Sequence, residues 1–221
     1  MVKTILVGML AAVCCAAGKP TPSPLLQDVI AEARMSVAMV ISYKEGGGSG
    51  LGTGFAVNSD GMIVTAAHIL KNGIFTEVIT SNGKYKEAKI IGLDEEADVA
   101  LLKIETNTYP VRFMDSDKIR VGTYVFMIGH PLGLTYSLSV GTISAKYRGN
   151  SAFELGDYIQ IDMTTNPGNS GGPVFTRHGN IVGMMTMSIG SSSGPAGYGL
   201  AVPGNKIMIT VNRLLRASKA N

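Results

Sequence analysis

The sequence predicts an all-β protein in two halves, each of about six short strands spaced as in a β-barrel, with a C-terminal α-helix. Three observations support this fold class. Hydrophobic residues make up 45% of the 221-residue chain, which is enough to bury a core. The apolar residues, largely Val, Ile and Met, fall in short runs separated by turns rich in the chain's 28 glycines. The strongest helical spacing of apolar residues lies near the C-terminus.

The first 17 residues, MVKTILVGMLAAVCCAA, form a segment distinct from the predicted domain. The positive residue Lys3 precedes an apolar stretch that ends in small residues and is shorter than the roughly 17–25 residues of a spanning helix. We therefore predict a signal peptide, cleaved after Ala17, and a periplasmic or secreted protein. An uncleaved anchor is the alternative.

Both cysteines, Cys14 and Cys15, lie inside this segment. The mature chain would contain no cysteine, so we predict a domain held together without disulfides, although export would permit them. A lipid attached at Cys14 is a further alternative. It is disfavoured because Val13 stands where a small residue is expected. Contact with a membrane is thus expected only if the leader is retained or lipidated.

Residues 18–35 connect the leader to the domain as a linker and a short helix. The linker is the Pro- and Ser-rich stretch KPTPSP at 19–24, and the amphipathic pattern LLQDVIAEARM at 25–35 is typical of a helix. Strand-like runs then follow. Those of the first half lie at 36–43, 52–58, 61–67, 76–80, 85–94 and 99–105. Those of the second half lie at 123–129, 137–147, 158–163, 172–176, 181–189 and 197–203.

Turn signals and a final helix complete this outline. The segments 58–61, NSDG, and 81–84, SNGK, have the composition of hairpin turns. From Asn205 to Ser218, apolar residues recur on one helical face. These residues are Ile207, Val211, Leu214 and Leu215. We predict one domain at 36–219, with a first barrel at 36–112, a second barrel at 113–203 and a helix at 205–218.

Charge and motifs exclude several function classes. The formal net charge of +3 comes without a clustered Lys/Arg face, so no nucleic-acid partner is predicted. The sequence has no HExxH motif, no paired Cys/His spacing and no Gly-rich loop followed by Lys-Ser/Thr. We therefore predict neither a metal site nor a cofactor.

The stretch NPGNSGGP at 166–173 surrounds one serine, Ser170, with glycines and prolines. This composition is typical of an ordinary turn, and equally of a turn that exposes a nucleophile. A nucleophilic serine needs a base to accept its proton and a carboxylate to orient that base. His68 ends an apolar strand and Asp98 begins one, so both are candidates for these roles.

Each candidate also has a purely structural interpretation. For His68 it is a hydrogen-bonded, half-buried side chain, and for Asp98 it is a cap at the start of a strand. A carboxylate that enters a core needs a partner, because burying an unpaired charge is costly, and an imidazole N–H is a suitable one. His130 and His178 lie in turns, where we expect both to face solvent.

Seven stretches of the chain, taken in order, match one known family. They are GTGFAV at 52–57, GMIVTAAHIL at 61–70, ADVALLKI at 97–104, VGTYVFMIGHPLGL at 121–134, SVGTISA at 139–145, NPGNSGGPVF at 166–175 and GYGLAVP at 197–203. With these stretches the chain resembles a trypsin-like serine protease of the bacterial HtrA/Deg type. The elements TAAH, DVALL and GNSGGP, in this order and spacing, are highly specific.

The resemblance implies two six-stranded antiparallel β-barrels with the active site in the cleft between them. It implies a serine endopeptidase that uses no cofactor and hydrolyses polypeptides through an acyl-enzyme. Ser170 would be the nucleophile, His68 the general acid/base, and Asp98 the residue that orients His68. The backbone N–H groups of Gly168 and Ser170 would stabilise the oxyanion of the tetrahedral intermediate.

By the same resemblance, a substrate pocket lies between the turn before the serine and the strand that faces it. Its expected residues are Thr164, Thr186, Met187, Ser188, Gly197, Tyr198 and Gly199. None of them is acidic, whereas cleavage after Arg or Lys needs a negative charge at the pocket base. We therefore predict a preference for small or medium aliphatic P1 residues.

Two features depart from the relatives. Asn169 stands where digestive relatives carry an aspartate that binds the N-terminal ammonium released by zymogen cleavage, so we do not expect that mode of activation. The sequence ends soon after the predicted helix, so a PDZ domain, usual in HtrA proteins, is not expected. A homo-oligomer stays an open expectation. The alternative function is a non-catalytic scaffold of the same fold that binds polypeptides or serves as a structural component.

Overall fold

The computed structural model describes residues 24–148, 157–191 and 194–220. The predicted signal peptide at 1–17 lies outside these residues. The described chain forms the following helices and strands: α1 (Leu26–Arg34), β1 (Val37–Lys44), β2 (Ser49–Ala56), β3 (Met62–Thr65), β4 (Gly73–Thr80), β5 (Tyr85–Glu87), β6 (Lys89–Asp94), β7 (Val99–Lys103), β8 (Arg112–Phe113), β9 (Tyr124–Gly129), β10 (Ser137–Ala145), β11 (Ile159–Asp162), β12 (Pro173–Thr176), β13 (Asn180–Ser191), β14 (Gly194–Pro203) and α2 (Gly204–Ala220). Short 3-10 turns occupy Ala67–Leu70, Ser116–Lys118 and Pro131–Gly133.

The first sheet contains seven strands in the order β5-β4-β1-β2-β3-β7-β6, and every neighbouring pair is antiparallel. Its apolar face buries Val40, Phe55 and Val64 completely. Strand β7 is apolar on both faces, with Leu101 and Leu102 equally buried, because helix α2 also packs against it. Between the described residues no pairing joins β5 to β6, so this sheet is a half-barrel.

The second sheet closes on itself. Its strands follow the order β12-β9-β10-β11-β14-β13, and a further antiparallel pairing of β12 with β13 completes a six-stranded barrel. The interior is filled by buried apolar side chains. These include Met127, Ile161, Val174, Met185 and Ala201. The short strand β8 pairs in parallel with β13 outside the ring.

The all-β class, the two sheets and the C-terminal helix are confirmed, and three details differ from the sequence prediction. The first sheet is a seven-stranded half-barrel, where a six-stranded barrel was predicted. The run predicted as one strand at 85–94 is interrupted at Ala88. At this point the chain changes its partner strand from β4 to β7. Glu87 lies opposite Glu77 of β4, and Lys89 lies opposite Lys103 of β7. Strand β8 was not predicted.

Helix α2 connects the two sheets by packing against β6, β7, β13 and β14. Ile207 and Val211 lie on its buried face, as their helical spacing predicts. Leu214 packs against Gly92 of β6, where a Cβ would come within 2.9 Å of the leucine side chain. Neither helix in the described chain has the length and apolar character that crossing a membrane requires.

Candidate active site

The predicted nucleophile Ser170 lies in a tight loop between β11 and β12. Within it Gly168 has φ +100°, a left-handed conformation that a Cβ would strain, and an added Cβ would lie 2.3 Å from the carbonyl oxygen of His130. The carbonyl of Pro167 accepts a hydrogen bond of 2.8 Å from the Leu132 N–H. In a trans peptide the carbonyl and the following N–H point in opposite directions, so the Gly168 N–H faces away from Leu132.

Thr53 of β2 holds this loop from the other sheet. Its backbone N–H donates to the Ser170 carbonyl at 2.8 Å, and its side-chain hydroxyl donates to the Gly168 carbonyl at 2.7 Å. In the part of the chain that the structure describes, the N–H groups of Gly168 and Ser170 donate to no acceptor. Both are therefore available to an oxyanion.

His68 lies in the 3-10 turn that follows β3. Its Nδ1 is 2.9 Å from Oδ2 and 3.1 Å from Oδ1 of Asp98, and its backbone N–H donates to Oδ1 at 2.9 Å. The carboxylate thus orients both the ring and the backbone of the histidine. The His68 side chain is 49% exposed and that of Asp98 only 14%, so the imidazole lies at the surface and its partner beneath it.

Asp98 lies immediately before β7 and has φ +52°. Burial opposes its ionisation, but hydrogen bonds from His68 and from the Thr186 hydroxyl outweigh this and lower the pKa of the carboxyl. Thr186 of β13 donates its hydroxyl to Oδ2 of Asp98. The carboxylate therefore stays ionised and hydrogen-bonded in the cleft between the sheets.

Ser170 reaches the same threonine from the opposite side. Its Oγ donates to the Thr186 carbonyl at 3.1 Å. In the described hydrogen bonds Ser170 Oγ does not contact His68. The structure therefore brings His68 and Asp98 into direct contact and connects Ser170 to Asp98 through the hydrogen bonds of Thr186.

Comparison with known proteins shows the family to which the chain belongs. A family model described as a trypsin-like peptidase domain matches residues 52–184, a range that contains all three predicted triad residues. The chain belongs to the trypsin-like peptidase family.

Curated relatives in this family carry the name probable periplasmic serine endoprotease DegP-like. The protein from Chlamydia trachomatis serovar D is 37% identical over 166 residues, which is 74% of this chain and 33% of the relative. That from Pseudomonas fulva is 38% identical over 172 residues, which is 77% of this chain and 36% of the relative. The chain thus spans about a third of the length of these relatives.

Solved structures of HtrA-type proteases share the fold. AlgW with a tripeptide superposes with a TM-score of 0.79 at 31% identity, covering 86% of this chain and 63% of that one. AlgW with a decapeptide gives a TM-score of 0.81 at 25% identity and covers 88% of this chain and 69% of that one.

The expected substrate pocket residues lie on two adjacent strands and one loop. On β13 and β14, Ser188 is paired with Gly199, and Tyr198 is 41% exposed. Met187 is 37% exposed on β13, and Gly197 precedes Tyr198 on β14. Thr164 is exposed in the loop after β11.

Thr186 and Thr165 have contacts that sequence reasoning did not anticipate. The Thr186 side chain is buried and its hydroxyl is directed to Asp98. Thr165, the neighbour of the predicted Thr164, is buried and accepts a hydrogen bond of 2.6 Å from the Ser188 hydroxyl. A polar side chain within the turn TTNPGN was the available signal for Thr165, but its direction depends on the fold.

The prediction that His130 faces solvent was wrong. Its side chain is fully buried, whereas His178 is exposed as predicted. His130 lies beneath the loop of Ser170, where Nδ1 is 3.2 Å from the hydroxyl of Thr53. The composition of IGHPLG correctly predicts a turn. It does not predict the burial of His130, which contacts Thr53 of β2, 77 positions away in the sequence.

The function of Thr53 was also missed. It lies in the stretch GTGFAV, and a threonine at full burial in an apolar strand must find a hydrogen-bond partner. The need for a partner was the signal, but that partner, Gly168, lies in the other half of the chain.

Among the described residues, no three His, Cys, Asp or Glu side chains are placed to hold a metal ion.

Proposed function

We propose that this chain is a serine endopeptidase that cleaves polypeptides through Ser170, His68 and Asp98. The observation that carries this proposal is the doubly hydrogen-bonded His68–Asp98 pair beside a serine whose loop offers two N–H groups without acceptors in the described chain. Family membership supports the chemistry, because the region that matches the trypsin-like peptidase domain contains every one of these groups.

The proposed reaction begins when Ser170 Oγ attacks the carbonyl carbon of the scissile peptide. His68 Nε2 accepts the hydroxyl proton, and the carbonyl oxygen becomes an oxyanion that receives hydrogen bonds from the N–H groups of Gly168 and Ser170. His68 then donates the proton to the leaving nitrogen, the C–N bond breaks, and the acyl chain remains on Ser170.

A water molecule completes the cycle. It attacks the ester carbon while His68 accepts one of its protons, and the C–O bond to Ser170 breaks as that proton returns to Oγ. Asp98 stays ionised and stabilises the imidazolium through its contact with Nδ1. Its lowered pKa supports this role.

The Ser170 hydroxyl must leave the Thr186 carbonyl before it attacks. A rotation about the Cα–Cβ bond redirects Oγ and needs no change in the backbone, which Thr53 holds at both Gly168 and Ser170. Hydrogen bonds of catalytic groups commonly align only when substrate is bound. We therefore interpret the observed hydrogen bond as a resting position of the serine.

We propose a preference for small or medium aliphatic P1 residues. The predicted pocket residues on β13 and β14 contribute no carboxylate, and Gly199 lies over the apolar side chain of Met185. A cationic P1 residue would find no partner there, whereas an aliphatic one would bury apolar surface.

Peptides that differ only at P1 test this specificity. We expect the kcat/KM for P1-Val, P1-Ala or P1-Leu to exceed that for P1-Arg by at least about tenfold, since a charge would be desolvated without a partner. Cleavage of P1-Arg with none of P1-Val would contradict the assignment of the pocket without affecting that of the triad.

Degradation of an unfolded protein distinguishes the enzyme from a non-catalytic scaffold. The scaffold is favoured by one observation, that Ser170 donates to Thr186 instead of His68. We expect the wild-type protein to fragment an unfolded substrate, and Ser170→Ala or His68→Ala to abolish this. Binding without fragmentation by the wild type, unchanged in both variants, would support the scaffold.

We also propose that the protein is exported to the periplasm or beyond. The leader-like pattern at 1–17 supports this, as do curated relatives that are named periplasmic. Mass spectrometry of the protein recovered from the host envelope tests it. A chain that begins at Gly18 is expected, and an intact Met1 in the cytoplasm would contradict it.

A further inference from the structure

Beneath the loop of Ser170, Thr53 and His130 form a buried polar contact that determines which His130 nitrogen carries hydrogen. The Thr53 hydroxyl has one hydrogen, and it is donated to the Gly168 carbonyl at 2.7 Å. The His130 Nδ1, at 3.2 Å from the same oxygen, must then donate to it, as the His130 backbone N–H does at 3.2 Å. The Nδ1 of His130 therefore carries a hydrogen.

The environment of the ring favours its neutral form. The other nitrogen, Nε2, is buried and accepts no hydrogen bond from the described chain. Burial lowers the pKa of His130 to about 4. His130 thus serves as a fixed donor to Thr53, and its ring position bears directly on the threonine that holds Gly168.

Tyr136 keeps the His130 ring in place. The two rings meet edge to face with centroids 4.7 Å apart. Tyr136 has φ +55° and Leu132, in the same segment, has φ +54°. Such left-handed conformations are costly for residues with a Cβ and persist only where surrounding contacts enforce them. The ring contact is one such contact, and it lies next to the oxyanion hole.

Arg34 of helix α1 contacts the Tyr136 ring in turn. The guanidinium carbon of Arg34 lies 4.3 Å from the centroid of the Tyr136 ring, within the range of a cation–π interaction. Arg34 is the final residue of α1. A continuous series of contacts therefore runs from α1 through Tyr136, His130 and Thr53 to Gly168.

We propose that Tyr136 is a positioning residue for the oxyanion hole and that it couples the placement of helix α1 to the placement of Gly168. This inference rests on the proposed function, because it concerns the same oxyanion hole. When the contact between Arg34 and the Tyr136 ring is lost, the side chains of His130 and Thr53 become less fixed. The Gly168 N–H is then no longer held in the direction of the oxyanion.

Two substitutions test the path, and each has a matched control. Arg34→Gln removes the cation over Tyr136. Arg112→Gln removes a charge of the same kind that also touches α1, through an exposed 3.9 Å contact with Glu32, but that does not reach Tyr136. Tyr136→Leu removes the ring, while Tyr136→Phe keeps it and serves as the conservative rescue.

Steady-state kinetics and hydrogen–deuterium exchange are measured for all four variants and the wild type. We expect Arg34→Gln to lower kcat about twofold to fivefold, as loss of an exposed cation–π contact implies. For Tyr136→Leu we expect a fall of about tenfold, from a misplaced oxyanion donor. KM should stay unchanged, because the oxyanion forms only in the transition state. The backbone amides of 168–172 should exchange about twofold to fivefold faster in Arg34→Gln than in the wild type, and at the wild-type rate in Arg112→Gln.

The outcomes separate this inference from the proposed function. Unchanged kcat and unchanged exchange at 168–172 in Arg34→Gln would overturn the path, as would a change confined to KM. If Tyr136→Leu fails to fold, Arg34→Gln decides, because Arg34 is exposed. If the wild type has no peptidase activity, the proposed function fails, and exchange at 168–172 still decides whether α1 positions Gly168.

Discussion

At the scale of single residues, Thr186 joins the two parts of the site through its two ends. Its hydroxyl donates to Asp98, and its carbonyl accepts from Ser170. One residue of β13 therefore hydrogen-bonds both the Asp98 carboxylate and the Ser170 hydroxyl. We expect its side chain to contribute to catalysis although it makes no contact with the reacting atoms.

Thr186→Val tests this contribution. A lost hydrogen bond to a charged group costs about 1.5–3 kcal/mol, so we expect kcat/KM to fall about tenfold to a hundredfold. Thr186→Ser keeps the hydroxyl and should restore most of the activity. Equal activity of the Val and Ser variants would show that the hydroxyl has no part in orienting Asp98.

Gly168 gives a second prediction at this scale. Gly168→Ala would place a Cβ 2.3 Å from the His130 carbonyl oxygen and displace one oxyanion donor, so we expect kcat to fall at least about a hundredfold. Gly122→Ala is the matched control, because Gly122 has φ +85° with open space around it. A similar loss in both variants would attribute the effect to backbone strain in general.

At the scale of secondary structure, helix α2 shows how a simple pattern positions the site. Its apolar face touches strands of both sheets, and a hydrogen bond joins Asp98, which precedes β7 of one sheet, to Thr186 on β13 of the other. We expect Ile207→Ala, at a fully buried position, to lower the free energy of unfolding by about 2–5 kcal/mol. Ile209, 69% exposed on the same helix, is the control and should change it by less than about 0.5 kcal/mol. Chemical denaturation measures both, and equal effects would contradict the packing of α2.

The same elements show what the sequence could predict. The helical spacing of Ile207, Val211 and Leu214 identifies α2, and alternating apolar runs identify most strands, because each pattern follows from which face is buried. Strand β8 has two residues, too few for any periodicity. The break at Ala88 arises from a change of partner strand, which no local pattern records.

Within the candidate site, the proposed triad residues could be located from the sequence, whereas the contacts that support them could not. His68, Asp98 and Ser170 lie in specific local motifs. The clamp by Thr53 on Gly168 joins residues 115 positions apart, and the burial of His130 depends on that same contact. Such distant contacts are decided by the packing of the two sheets.

At the scale of the whole molecule, buried His130 should make stability depend on pH. Its pKa is about 4 when folded, against about 6.5 for a free imidazole. The unfolded chain therefore binds more protons between these values, and the free energy of unfolding falls as pH drops from about 6.5 to about 4. The contribution of His130 between pH 7 and pH 4.5 is about 2–3 kcal/mol.

Urea unfolding at pH 7 and pH 4.5 measures this contribution. We expect His130→Asn to reduce the loss of stability between the two pH values by about 2–3 kcal/mol. His178→Asn, which alters an exposed histidine, should leave the loss as it is in the wild type. Asp98 does not confound the comparison, because its lowered pKa places its own effect below this range. Identical pH dependence in all three proteins would contradict a neutral, buried His130.

We predict that Ser170 is a nucleophile activated by His68. Labelling of the folded protein with a fluorophosphonate probe, followed by peptide mapping, tests this claim. We predict one adduct per chain, located on Ser170, and no adduct in Ser170→Ala or His68→Ala. A folded wild-type protein that acquires no adduct, or one whose adduct forms equally in His68→Ala, would contradict the claim.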